Sequence, residues 1–187
     1  MDTSAGTSLA LVAADGETIA QVLTNDTMRH AELIGEFLAE LRPEPTRLSG
    51  VVVGVGPGPF TGLRVGIAAA RAYAWGAQLP LLPVLSHDAA ALTCYRDGAS
   101  GTVVITTDAR RREFFSTNYH GLRNGVPLRD AAGPQIVTEP PSEPVTSIHA
   151  ADLAKIAWAR LAEGFPFDPA DAVYLRSPDV TLRPVSS

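Results

Sequence analysis

Cysteine, lysine and long apolar runs are what this sequence is short of. Its single cysteine, Cys94, leaves no intrachain disulfide and no thiolate metal cluster. The residue falls in the apolar helical pattern Ala89, Ala90, Ala91, Leu92, Cys94, where it is expected as a small buried hydrophobe. Lys155 is the only lysine, so arginine carries nearly all the positive charge, and with a net charge of −5 no global basic field draws the chain onto nucleic acid. No stretch approaches the ~20 apolar residues that a membrane-spanning helix needs. The amino-terminus also lacks the basic-then-apolar order of a signal peptide. A soluble, cytoplasmic protein with no membrane partner is expected. The four histidines, His30, His87, His120 and His149, show no metal-ligand spacing, and no Gly-x-Ser-x-Gly elbow is present. Neither a metal centre nor serine hydrolase chemistry is expected.

What the sequence does have is a glycine-rich turn between a strand and a helix. Val51 to Val55 is a short β-branched run of the kind buried on both faces of a sheet. Gly54, Gly56, Pro57, Gly58 and Pro59 break it, and from Phe60 to Ala77 the chain is alanine-rich and proline-free. A phosphate loop is the first chemistry such a turn suggests. The P-loop pattern fails because no lysine lies near it, and the dinucleotide fingerprint fails because Leu79 to Val84 carries no acid. Pro57 and Pro59 also have no N–H to offer an anion. The turn is therefore expected to be a rigid packing device, with no cofactor. In the helix beyond it, Gly62, Gly66, Ala70 and Ala74 recur every four residues, with Ala69 and Ala72 beside them. Glycine inside a helix costs about 0.5–1 kcal/mol relative to alanine, so a close neighbour is expected, either the chain's own core or a second protein. Arg64 and Arg71 share a face and suit an acidic surface.

In chain order, Ser8–Val12 and Thr18–Leu23 predict a hairpin, and residues 26–41 a helix with the apolar face Leu33, Ile34, Phe37, Leu38 and Leu41. The Val51 strand, the second helix, a strand at Leu79–Val84 and a helix from Ser86 to about Tyr95 follow. Residues 96–101 are the expected boundary between a lobe at 1–97 and a shorter one at 102–187. The second lobe should hold strands at Thr102–Thr107 and Phe114–Tyr119, an extended linker at Pro134–Pro144, a helix at Ala150–Gly164 and a last strand at Val173–Leu175. Asp108, Arg110 and Glu113 predict a strand-end turn stitched by salt bridges. Arg110, Arg111 and Arg112 form a small basic cluster, too little for independent RNA affinity in an acidic chain. The whole is an α/β protein with mixed sheets flanked by helices.

Several segments together resemble the TsaB (YeaZ) family, accessory proteins for threonylcarbamoyl-adenosine synthesis on tRNA. They are Asp2-Thr-Ser4 with Ser8-Leu-Ala-Leu11, the helix near Arg29-His30, Gly54-Val-Gly-Pro-Gly-Pro-Phe-Thr-Gly-Leu-Arg-Val-Gly66, Thr107-Asp-Ala-Arg110 with Glu113, and Val173-Tyr-Leu-Arg176. The resemblance implies an actin/Hsp70-like ATPase fold of two ribonuclease-H-like lobes and a non-catalytic role. It implies pairing with a TsaD-like catalytic subunit and a TsaE-like ATPase in the same complex, with tRNA met only through that complex. The implied interface is the first two helices, with Leu33, Ile34 and Phe37 on one and Gly62, Leu63, Arg64, Gly66, Ile67, Ala70, Arg71 and Ala74 on the other. Family members can also self-associate through that surface. The rival expectation is a nucleotide-binding enzyme of the same superfamily, holding ATP between Asp2–Thr7 and the Gly56 turn. The sequence departs from the family in two places. Relatives carry a few apolar residues ahead of Asp-Thr-Ser that complete the first strand, and further residues before the last helix. The first strand and the second lobe are therefore expected to be abbreviated.

Overall fold

The computed structural model describes residues 1–175; Arg176, the last residue of the closing motif above, lies outside them. The first hairpin pairs β1 (Thr7–Val12) with β2 (Thr18–Thr24), antiparallel. Helix α1 (His30–Leu41) follows. It starts four residues later than the sequence suggests, because Asp26 uses its carboxylate on the N–H groups of Met28 and Arg29 in a turn that precedes the helix. A single 3-10 turn at Pro45–Arg47 leads to β3 (Val51–Gly54), which pairs in parallel with β4 (Leu81–Val84). The crossover between them is α2 (Phe60–Gly76), and α3 (Ser86–Arg96) follows β4. Pro83 lies in β4 opposite Val53, on a strand with a single neighbour, where a missing N–H is tolerated.

The second half is an antiparallel sheet of β5 (Val103–Asp108), β6 (Phe114–Arg123), β7 (Val126–Arg129) and β8 (Gln135–Val137). Asn124 and Gly125, both with positive φ, make the two-residue turn between β6 and β7, the turn whose twist matches that of a hairpin. Two expectations are corrected here. The proline-rich stretch at 134–144 is not all linker: Gln135–Val137 pairs with Phe114–Ser116, since the three residues between Pro134 and Thr138 retain their N–H groups. Val173–Leu175 is not a strand, and Val173 makes one bond to the Val55 carbonyl at 2.8 Å. The last helix, α4 (Ala150–Glu163), packs on α3 and on β1 and β3, so one of the two core clusters joins α3, α4, β5, β6 and β7. The architecture is α/β in two lobes, with parallel and antiparallel sheets flanked by helices.

Met1 and Asp2 lie between the first hairpin and the parallel pair. Asp2 bridges Ser8 in the antiparallel sense, with N–H···O bonds of 2.8 and 2.9 Å. On its other side the Met1 amino group donates to the Val52 carbonyl at 2.9 Å, and the Gly54 N–H donates to the Met1 carbonyl at 2.9 Å. Two residues thus tie the first hairpin to the parallel pair.

Candidate functional site

The glycine-rich turn lies directly over Asp2–Ser4. One Asp2 oxygen accepts from the Ser4 N–H at 2.8 Å and the Ser4 hydroxyl at 2.7 Å, and the other accepts from Ser86. The Ser86 hydroxyl in turn accepts the Gly56 N–H at 3.0 Å. Asp2, Thr3, Ser4 and Ser86 are all buried. A side chain at Gly54 would overlap the Asp2 carboxylate, and a Cβ at Gly58 would stand 2.8 Å from the Ser4 Cα. The glycines are there for close approach, and the polar groups that would greet a phosphate are spent on one another. No room is left between the turn and Asp2–Ser4, which argues against the ATP-holding alternative. Among the described residues no group of three or more histidine, cysteine, aspartate or glutamate side chains is arranged to hold a metal ion.

The small-residue ridge of α2 continues this packing. Thr3 donates its hydroxyl to the Gly62 carbonyl at 2.8 Å. A Cβ at Gly62 would lie 2.7 Å from the Thr3 carbonyl oxygen and 2.8 Å from His30 Nε2, and one at Gly66 would overlap the Thr3 hydroxyl. Leu63, Ile67, Ala70 and Ala74 on the same helix, and Leu33 and Ile34 on α1, are buried within the chain. Phe37 is half-buried. The ridge therefore faces the chain's own Asp2–Ser4 segment and α1, and the compensation for two helical glycines is internal. Arg64 and Arg71 do lie on the surface, but they turn to the chain's own later residues. Arg64 stacks on Phe60 and donates to the Tyr174 hydroxyl at 3.2 Å, while Arg71 donates to the Ala170 carbonyl at 2.6 Å and to Asp171 at 3.1 Å.

The outward side of these helices carries a second set of small residues that the sequence reading passed over. Ala31, Gly35 and Ala39 recur every four residues on α1 and are exposed, as are Ala68 and Ala72 on α2. A Cβ at Gly35 would meet nothing within 4 Å. Two large exposed apolar side chains lie three residues from members of this set in sequence: Met28, ahead of α1, is 87% exposed and Trp75, near the end of α2, is 86% exposed. The four-residue spacing of Ala31, Gly35 and Ala39 was legible in the sequence; which face it occupied was not.

The Asp108–Glu113 turn closes the β5–β6 hairpin as a stitched turn. Asp108 accepts the Arg110 N–H at 2.7 Å and lies 3.9 Å from its guanidinium. Arg110 also donates to the Thr27 hydroxyl at 2.9 Å, anchoring the tip beside the start of α1.

Two buried polar groups in the first turn of α3 shape stability. His87 is fully enclosed, its ring nitrogens bonded to the Thr117 and Thr107 hydroxyls at 2.8 and 2.9 Å, and burial lowers its pKa to about 3. A folded value below the unfolded 6.5 means that the unfolded chain takes up the proton first, so this stabilisation is complete above pH 6.5 and is lost on acidification toward pH 3. Asp88, which burial raises to about 6, runs in the opposite sense between pH 3.8 and 6. Subtracting the stability curve of a His87→Gln variant leaves the histidine's share. Denaturant unfolding should show the wild-type advantage shrinking between pH 7 and 4, by at most about 1.4 kcal/mol per pH unit. An advantage independent of pH would contradict the assignment.

The family model described as TsaD, tRNA N6-adenosine threonylcarbamoyltransferase, matches residues 24–140. An uncharacterized protein of Mycobacterium leprae is 36% identical over 152 residues, covering 78% of this chain and 39% of that protein. The tRNA threonylcarbamoyladenosine biosynthesis protein TsaB of Escherichia coli is 31% identical over 100 residues, covering 54% of this chain and 43% of that protein. The matches therefore span less than half the length of these two relatives. The solved structure of YeaZ from Pseudomonas aeruginosa superposes with a TM-score of 0.73 at 25% identity, over 93% of this chain and 97% of that one.

Proposed function

The chain belongs to the TsaB (YeaZ) family, and from that membership we propose that it is the non-catalytic accessory subunit of a tRNA threonylcarbamoylation complex, pairing with a TsaD-like catalytic subunit. In this reading the fold is of the actin/Hsp70-like ATPase type, with lobes dividing near residues 98–101. The complex is cytoplasmic and includes a TsaE-like ATPase, and tRNA is met only within it. The nucleotide cleft of that superfamily is represented here by a turn packed shut on Asp2–Ser4.

The observation that carries the reading is the outward small-residue surface of Ala31, Gly35, Ala39, Ala68 and Ala72, with the exposed Met28 and Trp75 three residues from its members in sequence. Small side chains let a partner helix approach closely, and the exposed aromatic supplies an anchor. Glu32, Glu36 and Glu40 lie beside this surface on α1, and although Arg29 pairs with Glu32 at 2.7 Å and reaches Glu36 at 3.5 Å, the edge keeps a net negative charge that favours a partner with basic residues at the rim. The same surface serves a homodimer in the partner's absence.

Gly35→Leu separates this interface from the fold. With open space at its Cβ, the substitution should leave the melting temperature close to wild type. Overpacking at a helix–helix seam costs about 1–3 kcal/mol, so affinity for the TsaD-like subunit, measured by calorimetry, should fall roughly tenfold or more. Unchanged affinity in a folded Gly35→Leu protein would refute the interface.

A further inference from the structure

Strands β7 and β8 lie end to end along one edge of β6: Val126–Arg129 pairs with its far end and Gln135–Val137 with Phe114–Ser116. Between them residues 130–134 leave the ladder. Asp130 still donates its N–H to the Asn118 carbonyl at 2.9 Å, but its own carbonyl accepts from Gly133 at 3.0 Å, and Gly133 takes a φ of 65° to close that turn. The detour leaves a notch of about 250 Å³, lined by Ser116, Asn118, Asp130 and Gln135, with Val137 and Pro141 as an apolar wall. At about 30 Å³ per water this is the space of about eight waters, comparable to one extended arginine side chain.

Strand alternation sets the face on which the notch opens. Thr117 and Tyr119 point inward, to His87 and Asp88, so Ser116 and Asn118 point outward. Gln135 is the register partner of Ser116 and shares its face, and Asp130 stands across from Asn118. The four polar side chains thus mark out a patch about 5 Å across the strands and about 7 Å along them. The chain leaves most of their bonding capacity unused. The side chains of Ser116, Asn118 and Gln135 have no hydrogen-bond partner among the described residues. Ser116 is only 7% exposed, and since no sealed side-chain polar atom of the described residues lacks a partner, its unbonded hydroxyl is the part that opens onto the notch. Asp130 spends one oxygen on the Ala132 N–H at 3.3 Å, and the other lies 3.8 Å from His120 Nε2, too far for a hydrogen bond.

A hydroxyl, two amides and a carboxylate therefore face one cavity. Their only charge is negative, and none of the lining residues is basic, so an anion is disfavoured and a cation favoured. A single ammonium nitrogen cannot reach acceptors about 7 Å apart. A guanidinium spreads its N–H donors over a rigid plane, so one edge can meet Asp130 while the other donors meet the Asn118 and Gln135 carbonyls and the Ser116 oxygen. We propose that this notch binds the guanidinium of an arginine side chain presented by another polypeptide, with Asp130 as its counter-charge. With no basic residue in the lining to meet an α-carboxylate, the arginine is held by its side chain and not as the free amino acid. The site shares no residue with the α1–α2 surface assigned to the catalytic partner.

The test titrates the full chain with N-acetyl-arginine methylamide and with the corresponding lysine and citrulline compounds, following backbone and side-chain amide resonances. The arginine compound is expected to bind in the millimolar range and to move the side-chain amides of Asn118 and Gln135. Citrulline keeps the shape without the charge, and lysine keeps the charge without the planar fork; each should bind at least about fivefold more weakly. Free arginine should bind no more tightly than the blocked residue. Asp130→Asn keeps an oxygen for the Ala132 N–H, so it should fold as wild type does and bind at least about tenfold more weakly. Gln135→Glu places a second carboxylate at an exposed position and should bind several-fold more tightly. No binding of the arginine compound at high millimolar concentration overturns the proposal. So does equal binding of the three compounds, a preference for free arginine, shifts confined to other parts of the chain, or wild-type affinity in a folded Asp130→Asn protein. If that variant does not fold, an affinity that fails to rise in Gln135→Glu overturns the proposal by itself.

Discussion

Gly66→Leu is expected to prevent the amino-terminal lobe from closing, whatever partner is present. The position sits mid-helix in α2 with its Cα against the Thr3 side chain, so even a Cβ would overlap the Thr3 hydroxyl. Thr3 has nowhere to withdraw. Its hydroxyl is bonded to the Gly62 carbonyl, it is buried, and the adjacent Asp2 and Ser4 are locked to each other and to Ser86. Relief requires lifting α2 from the Asp2–Ser4 segment, which also exposes Leu63 and Ile67. Overpacking of a well-filled site typically costs 1–3 kcal/mol. Here the displaced element is a 17-residue helix over a core cluster, so a loss at or above about 3 kcal/mol is expected. Thermal and urea unfolding of the isolated chain would measure it. Gly66→Ala should be milder but still destabilising, because the clash begins at the Cβ. A Gly66→Leu protein that melts like wild type would mean that the ridge faces outward after all.

The contrast between Gly66 and Gly35 shows how far the sequence could be read. Helical period groups residues into faces, and it grouped Gly62, Gly66, Ala70 and Ala74 correctly as one ridge meeting a close neighbour. It could not say which neighbour. In α2 the outward face also carries small residues, Ala68 and Ala72, so hydrophobic contrast around the helix is weak and the direction of the core is not encoded locally. The deciding contact is with Thr3, 63 positions earlier, and no local pattern reports it. The closed turn was legible for a different reason: a proline without an N–H and a missing lysine are properties of the residues themselves. Strand β8 was obscured by the prolines around Gln135–Val137, although those three residues were free to pair. The Asp88 network was unreadable because its members come from α3, β6, β7, α4 and the segment after α4, each an ordinary polar residue in its own stretch.

That network sets the second large effect, since Asp88→Ala should cost about 3–5 kcal/mol, the usual result of stripping one partner from a buried ion pair. Asp88 is fully buried at the start of α3. One carboxylate oxygen accepts from the Tyr119 hydroxyl at 2.8 Å and lies 3.3 Å from Arg129, and the other accepts from Arg160 at 2.8 Å. Asp168 sits across from it, bonded to both arginines at 2.6 Å. Burial alone would push Asp168 up, but the two guanidinium groups hold it below the ordinary carboxylate range. Two acids and two arginines thus balance in a space with little water. Truncating Asp88 leaves Arg160, 3% exposed, with half its charge compensation and leaves the buried Tyr119 hydroxyl without its acceptor. At about 2–4 °C per kcal/mol for a chain of this size, the melting temperature should fall by roughly 6–20 °C. Pairing the change with Arg160→Met distinguishes charge from packing: the double variant should lose clearly less than the sum of the two single losses, because the second change removes the charge that the first left stranded. Additive losses would mean that Asp88 and Arg160 act as separate packing residues rather than as a pair.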